Sequence, residues 1–113
     1  MTYSRGDVIL VPFPFSDLSG QKKRPGVIIS ADSHIAAQDD LIVAQISSQV
    51  SNPVRPDEYE IVDWRRAAGL LHPSVVRPKL FTLEDSMVLK SLGYIPVAEM
   101  REIDQRFRTV LSL

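Results

Sequence analysis

Apolar and polar residues alternate along this chain in short blocks, each cut off by Pro, Gly or a polar cluster. "DVILVPF" (7–13) is dense in Val, Ile and Phe, is too short for a typical helix, and runs into Pro12 and Pro14, which predicts a strand. "SDLSGQKK" (16–23) has the Ser, Asp and Gly content of a loop. Pro25 then imposes an extended conformation on Arg24, and "GVIIS" (26–30) predicts a second strand. A helical turn is expected over 31–38 and a third strand over "LIVAQIS" (41–47). Residues 47–58 contain Pro53 and Pro56 as breakers and predict an irregular loop. "YEIVDW" (59–64) predicts a strand leading into 65–74, and two further β-like runs follow at 74–84 and 86–95, separated at Asp85.

From Pro96 the period changes. Val97, Met100, Ile103, Phe107, Val110 and Leu111 recur at spacings of three and four, one stripe of an amphipathic helix. Pro96 suits a helix start, Glu99 and Glu102 lie early and Arg106 and Arg108 late, which complements the helix dipole. With no internal repeat or linker, the 113 residues predict one domain, 1–113. Five or six short strands and a terminal helix predict a mainly β fold: a small, strongly bent sheet or barrel with helical additions.

Composition narrows the chemistry. The absence of cysteine excludes disulfides, thiolate metal ligands and a Cys nucleophile. No apolar run approaches the ~20 residues that span a bilayer, and "MTYSRGD" has no hydrophobic signal core, so a cytoplasmic protein without membrane contact is expected. A net charge of −1 argues against bulk electrostatic binding of nucleic acid but leaves room for a local patch at Lys22, Lys23 and Arg24.

Phosphate-binding glycine loops, nucleophile elbows and HExxH motifs are missing. The two histidines, His34 and His72, are too few for a His-rich metal site and read as surface or boundary residues, and Asp39–Asp40 reads as a solvated turn. What remains is Arg and hydroxyl chemistry. Arg24 starts from a backbone held by Pro25 and presents a planar fork suited to phosphate oxygens. Ser47 and Ser48, followed by Gln49, sit at the exit of the third strand. If the second and third strands are neighbours, these groups converge on one phosphate.

At this point "RGDVILVPFPFSDLSGQKKRPGVIIS", "LIVAQIS" and "AGLLHPSVVRPKLFTL", together with the closing helix, resemble the MazF/PemK family of toxin endoribonucleases over nearly the whole chain. The resemblance implies an SH3-like barrel, a homodimer, metal-free and cofactor-free cleavage of single-stranded RNA, and neutralisation by a cognate antitoxin. It also implies indirect DNA contact through that antitoxin in autoregulation. In such cleavage the ribose 2′-OH attacks the adjacent phosphate and the 5′-oxygen leaves. The family's Arg before Pro maps onto Arg24, and its hydroxyl residue, usually Thr, maps onto Ser47. Arg24 would stabilise the phosphorane, and Ser47 would fix a non-bridging oxygen. The sequence singles out no base for the 2′-OH.

Lys22 and Lys23 are natural phosphate contacts. Ser48 or Gln49 could read a base edge or the backbone, and Lys79, with Arg77, could border the same groove. Where one version of the family has paired glycines before the Arg, this chain has Gln21, Lys22 and Lys23. Phe13, Phe15, Trp64 and Phe81 could stack bases, although Trp64 and Phe81 read first as core or dimer surface. Two other classes compete: a non-catalytic CcdB-like toxin that binds a topoisomerase, and an SH3-like binding module.

Overall fold

Val8 and Ile9 are adjacent in sequence, both fully buried, and belong to different cores. The same division separates Val27 from Ile28 and Val43 from Ala44, because successive strand side chains point to opposite faces. A sheet covered on both faces explains why its strands read as continuous apolar runs. The computed structural model describes residues 2–113.

The sheet has six antiparallel strands: β1 Asp7–Pro14, β2 Gln21–Ile28, β3 Asp40–Ser47, β4 Tyr59–Glu60, β5 Val75–Glu84 and β6 Lys90–Tyr94, in the order β4-β5-β3-β2-β1-β6. It curls into a half-barrel, matching the mainly β architecture expected from the sequence. The segment 61–74 bridges its two edges. Ile61 N donates to Ser74 O at 3.0 Å beside β4, and Tyr94 N on β6 donates to Ala67 O at 2.9 Å. Gly69 (φ +70°) permits the close approach to β6, since a Cβ there would lie 2.1 Å from Leu92 O.

Helix α1, Asp32–Gln38, buries only Ile35, against the core formed by Ile9, Val11, Ile28 and Leu41. Helix α2, Val97–Leu111, covers the other face with Met100, Ile103 and Phe107. The ends of the predicted stripe behave differently, since Val97, Val110 and Leu111 are exposed. Glu99 is buried instead, and its carboxylate accepts hydrogen bonds from Tyr59 Oη (2.7 Å), Val62 N (2.6 Å) and Asp63 N (3.2 Å). The N-terminal segment is tied to both layers by Arg5, which donates to Ile29 O and pairs with Asp104 on α2.

Several boundaries differ from the sequence reading. Gln21, Lys22 and Lys23, expected in a loop, belong to β2 and pair with Pro14, Phe13 and Pro12. The hairpin loop therefore shrinks to 15–20, where Asp17 accepts from Ser19 N (3.0 Å) and Ser19 Oγ (2.7 Å). These bonds, the hydroxyl's first, hold the Asp17 carboxyl below its ordinary range. β4 is only two residues long because Val62 N and Asp63 N turn to Glu99 rather than to a strand. β6 starts at Lys90 because Asp85–Met87 forms a single 3₁₀ turn.

Candidate active site

β2 and β3 pair over Gly26↔Gln45, Val27↔Ala44 and Ile28↔Val43, and then separate. The separation falls at Pro25, which has no N–H to donate to a neighbouring strand. β2 continues on its other side, where Arg24 is held opposite Val11 of β1. Continued in register, the parted strands bring Arg24 opposite Ser47, the last residue of β3. Both residues line one cleft of about 360 Å³, together with Lys23, Ser48, His72, Ser74 and Lys90 around a floor that includes Leu10, Ile46 and Leu70.

The charge of this cleft is one-sided. Its lining residues include Lys23, Arg24 and Lys90, and none is Asp or Glu. Among the described residues the ion pairs engage Arg5, Arg55, Arg77 and Arg106, leaving Arg24, a half-buried residue, without a carboxylate partner. An unpaired guanidinium is prepared for an incoming anion, because its charge is uncompensated and its planar fork suits phosphate oxygens.

Ser47 is only 4% exposed, and its Oγ accepts a hydrogen bond from Gln49 N at 3.1 Å. That bond occupies a lone pair and leaves the hydroxyl proton free to donate. Gln49 is held in turn: Arg77 Nη2 donates to its carbonyl at 3.1 Å, and Arg77 Nε donates to Glu58 Oε2 at 2.9 Å. Glu58 is 5% exposed, so this ion pair is shielded from solvent on the carboxylate side. Ser47 thus ends a chain of contacts that begins at a buried carboxylate.

The other residues singled out from the sequence distribute unevenly. Lys23 and Ser48 join Arg24 and Ser47 in the cleft. Lys22 lies in an adjoining hollow shared with Lys23, Pro12 and Met87. Gln49 contributes its backbone to the support of Ser47, and its side chain is exposed.

Lys79 borders a different hollow, with Arg55, Asp57, Glu58 and Arg77. The cause lies in the β3–β5 register, which passes from Ala44↔Leu80 directly to Ile46↔Val76, so that Arg77, Pro78 and Lys79 bulge opposite the single residue Gln45. Of the aromatic residues, Phe13 is buried and packs against Phe81 with centroids 5.7 Å apart. Trp64 is partly buried against the other core, whereas Phe15 is exposed.

His72 is the residue that sequence reasoning left aside. It stands 48 positions after Arg24, on a segment with no regular structure, and only the bridge from β4 to β6 carries it to the cleft. The motif "HPS" held a weak signal, since Pro73 restricts the backbone of His72. Among the described residues, no three His, Cys, Asp or Glu side chains are grouped so as to hold a metal ion.

A family model described as "PemK-like, MazF-like toxin of type II toxin-antitoxin system" matches residues 4–111. A comparison with curated proteins returns no match. Among solved structures, the chain is similar to an endoribonuclease from Mycobacterial species, with TM-score 0.78, 18% identity, and coverage of 100% of this chain and 94% of that one. It is similar to an endoribonuclease in complex with its cognate antitoxin, also from Mycobacterial species, with TM-score 0.75, 18% identity, and coverage of 99% and 95%. A MazE–MazF structure from Deinococcus radiodurans gives TM-score 0.75, 15% identity, and coverage of 100% and 99%.

Proposed function

The chain belongs to the PemK-like, MazF-like toxins of type II toxin–antitoxin systems, and from that premise we propose that it is a metal-independent, sequence-specific endoribonuclease that cuts single-stranded mRNA. The observation that carries this reading is the unpaired, half-buried Arg24 beside Ser47 in a cleft free of carboxylates. Phosphoryl transfer demands positioning and charge stabilisation more than covalent help. The Arg24 guanidinium supplies the charge for the phosphorane, and the Ser47 hydroxyl donates to a non-bridging oxygen. The ribose 2′-oxygen attacks phosphorus while the bond to the 5′-oxygen breaks, leaving a 2′,3′-cyclic phosphate and a 5′-OH.

Lys23 and Lys90 flank the same cleft, and Lys22 continues the positive strip into the neighbouring hollow, which suits a backbone of several phosphates. Unstacked bases of a single strand present edges to Ser48 and apolar faces to the cleft floor. The working protein in this proposal is a cytoplasmic homodimer whose cleft is covered by a cognate antitoxin. The similar structures from Mycobacterial species and Deinococcus radiodurans, which include complexes with antitoxin, support that partnership.

The test is incubation of the purified protein with a long RNA in EDTA, followed by mapping of cut sites and end chemistry. The expected products carry 2′,3′-cyclic phosphate and 5′-OH ends at a recurring sequence. Intact RNA, or products with 5′-phosphates, would overturn the proposal.

A further inference from the structure

Building on the nuclease reading, we infer that His72 is the base that accepts the 2′-OH proton. The cleft offers few groups for this task. Lys23, Lys90 and Arg24 are cationic side chains that donate hydrogen bonds and offer no lone pair to take a proton. Ser47, Ser48 and Ser74 are hydroxyls, and no carboxylate lines the cleft. His72 is therefore the one lining residue whose side chain, an imidazole, carries a ring nitrogen with a lone pair able to accept a proton.

Its placement suits the role. Arg24 and Lys23 reach the cleft from β2, Ser47 from β3 and Lys90 from β6, whereas His72 comes from the 61–74 bridge. In-line displacement places the entering and leaving oxygens on opposite sides of phosphorus, and His72 approaches the cleft from an element other than those that carry Arg24 and Ser47. The backbone under His72 is fixed although its side chain is exposed. The buried Ser74 donates from Oγ to His72 O at 2.9 Å, and Pro73 restricts the conformation between them.

The step balances without a further reactant. A ring nitrogen of neutral His72 takes the 2′-OH proton as the 2′-oxygen bonds to phosphorus and the bond from phosphorus to the 5′-oxygen breaks. The 5′-oxygen is protonated by water, and the imidazolium returns its proton to solvent. The charged groups that line the cleft together with His72 are Lys23, Arg24 and Lys90.

The inference is tested by the pH profile of single-turnover cleavage of a defined RNA by wild type, His72→Gln and, as a control outside the cleft, His34→Gln. Wild type and His34→Gln should share a rate that rises through the imidazole range. His72→Gln should lose that rise and be about 10²–10⁴-fold slower above it, with unchanged RNA affinity and an unchanged circular dichroism spectrum. Added imidazole should partly restore cleavage by His72→Ala. A flat wild-type profile, or a His72→Gln variant that keeps the wild-type rate and slope, would overturn the inference while leaving the nuclease reading intact. RNA left uncut by wild type would remove both.

Discussion

Arg24 and Ser47 belong to strands that pair up to Gly26 and Gln45 and then part, so the two residues line one opening from neighbouring strands rather than pairing along a ladder. This relationship explains how a rigid sheet yields an open cleft. The backbone on each side stays anchored, Arg24 by β1 and Ser47 by its pairing with Val75 of β5. Side chains at the opening inherit that rigidity, and no mobile loop is needed to bring them together.

Arg24→Ala should abolish RNA cleavage in EDTA, with a loss of at least about 10³-fold, comparable to removal of an arginine that stabilises a transferring phosphoryl group. The protein should remain folded and dimeric, because Arg24 makes no ion pair whose loss would matter. Arg24→Lys should recover little, since a point charge does not reproduce the bidentate fork. Single-turnover assays alongside sedimentation would check both claims, and full activity in Arg24→Ala would sink the mechanism.

Ser47→Ala removes one donor to the phosphate and should slow cleavage by about 10²–10³-fold. Ser47→Thr retains the hydroxyl and adds a methyl that restricts χ1, so it should match or exceed wild type. An unchanged rate in the Ala variant would mean that another group holds the phosphate.

The convergence of Arg24 and Ser47 on one cleft was legible in the sequence because both sit where strand pairing changes and are marked locally, Arg24 by the Pro that follows it and Ser47 by the polar residues after "LIVAQI". It misassigned Lys22 and Lys23 to a loop, because cations suit a solvated loop as well as an edge that is paired on one side only. The bulge at Arg77–Lys79 was also hidden, since only the register of β5 against β3 shows that three residues oppose one. His72 was unreadable for a related reason: its place in the cleft depends on a bridge fixed by Gly69 against Leu92 and by Glu99 beneath Val62, contacts between segments distant in sequence.

Arg77→Met should cost about 3 kcal/mol of stability, because it strands the Glu58 carboxylate, which is 5% exposed and already has Oε1 without a partner. It should also lower cleavage by less than Ser47→Ala, because Gln49 loses one support while the Ser47 hydroxyl remains. Urea denaturation and cleavage assays on Arg77→Met, Glu58→Gln and the double variant would check this. The double variant should be more stable than the two single losses added together, and simple additivity would show that the pair is not coupled.

Tyr59 gives the fold an alkaline limit. Burial first, and then the hydrogen bond to Glu99, push its hydroxyl well above the ordinary tyrosine value. The unfolded chain therefore loses this proton near pH 10 while the folded chain keeps it, so the unfolded state binds fewer protons and stability falls as pH rises. The contribution is fully present below about pH 10 and declines above it, by at most about 1.4 kcal/mol per pH unit. Tyr59→Phe should flatten this decline. It should also cost about 1–3 kcal/mol at neutral pH, because the buried Glu99 loses its hydroxyl donor and keeps only Val62 N and Asp63 N. Urea midpoints at pH 8 and pH 10.5 separate the two effects: wild type should lose more stability between them than Tyr59→Phe, and equal losses would remove Tyr59 as the source of the alkaline limit.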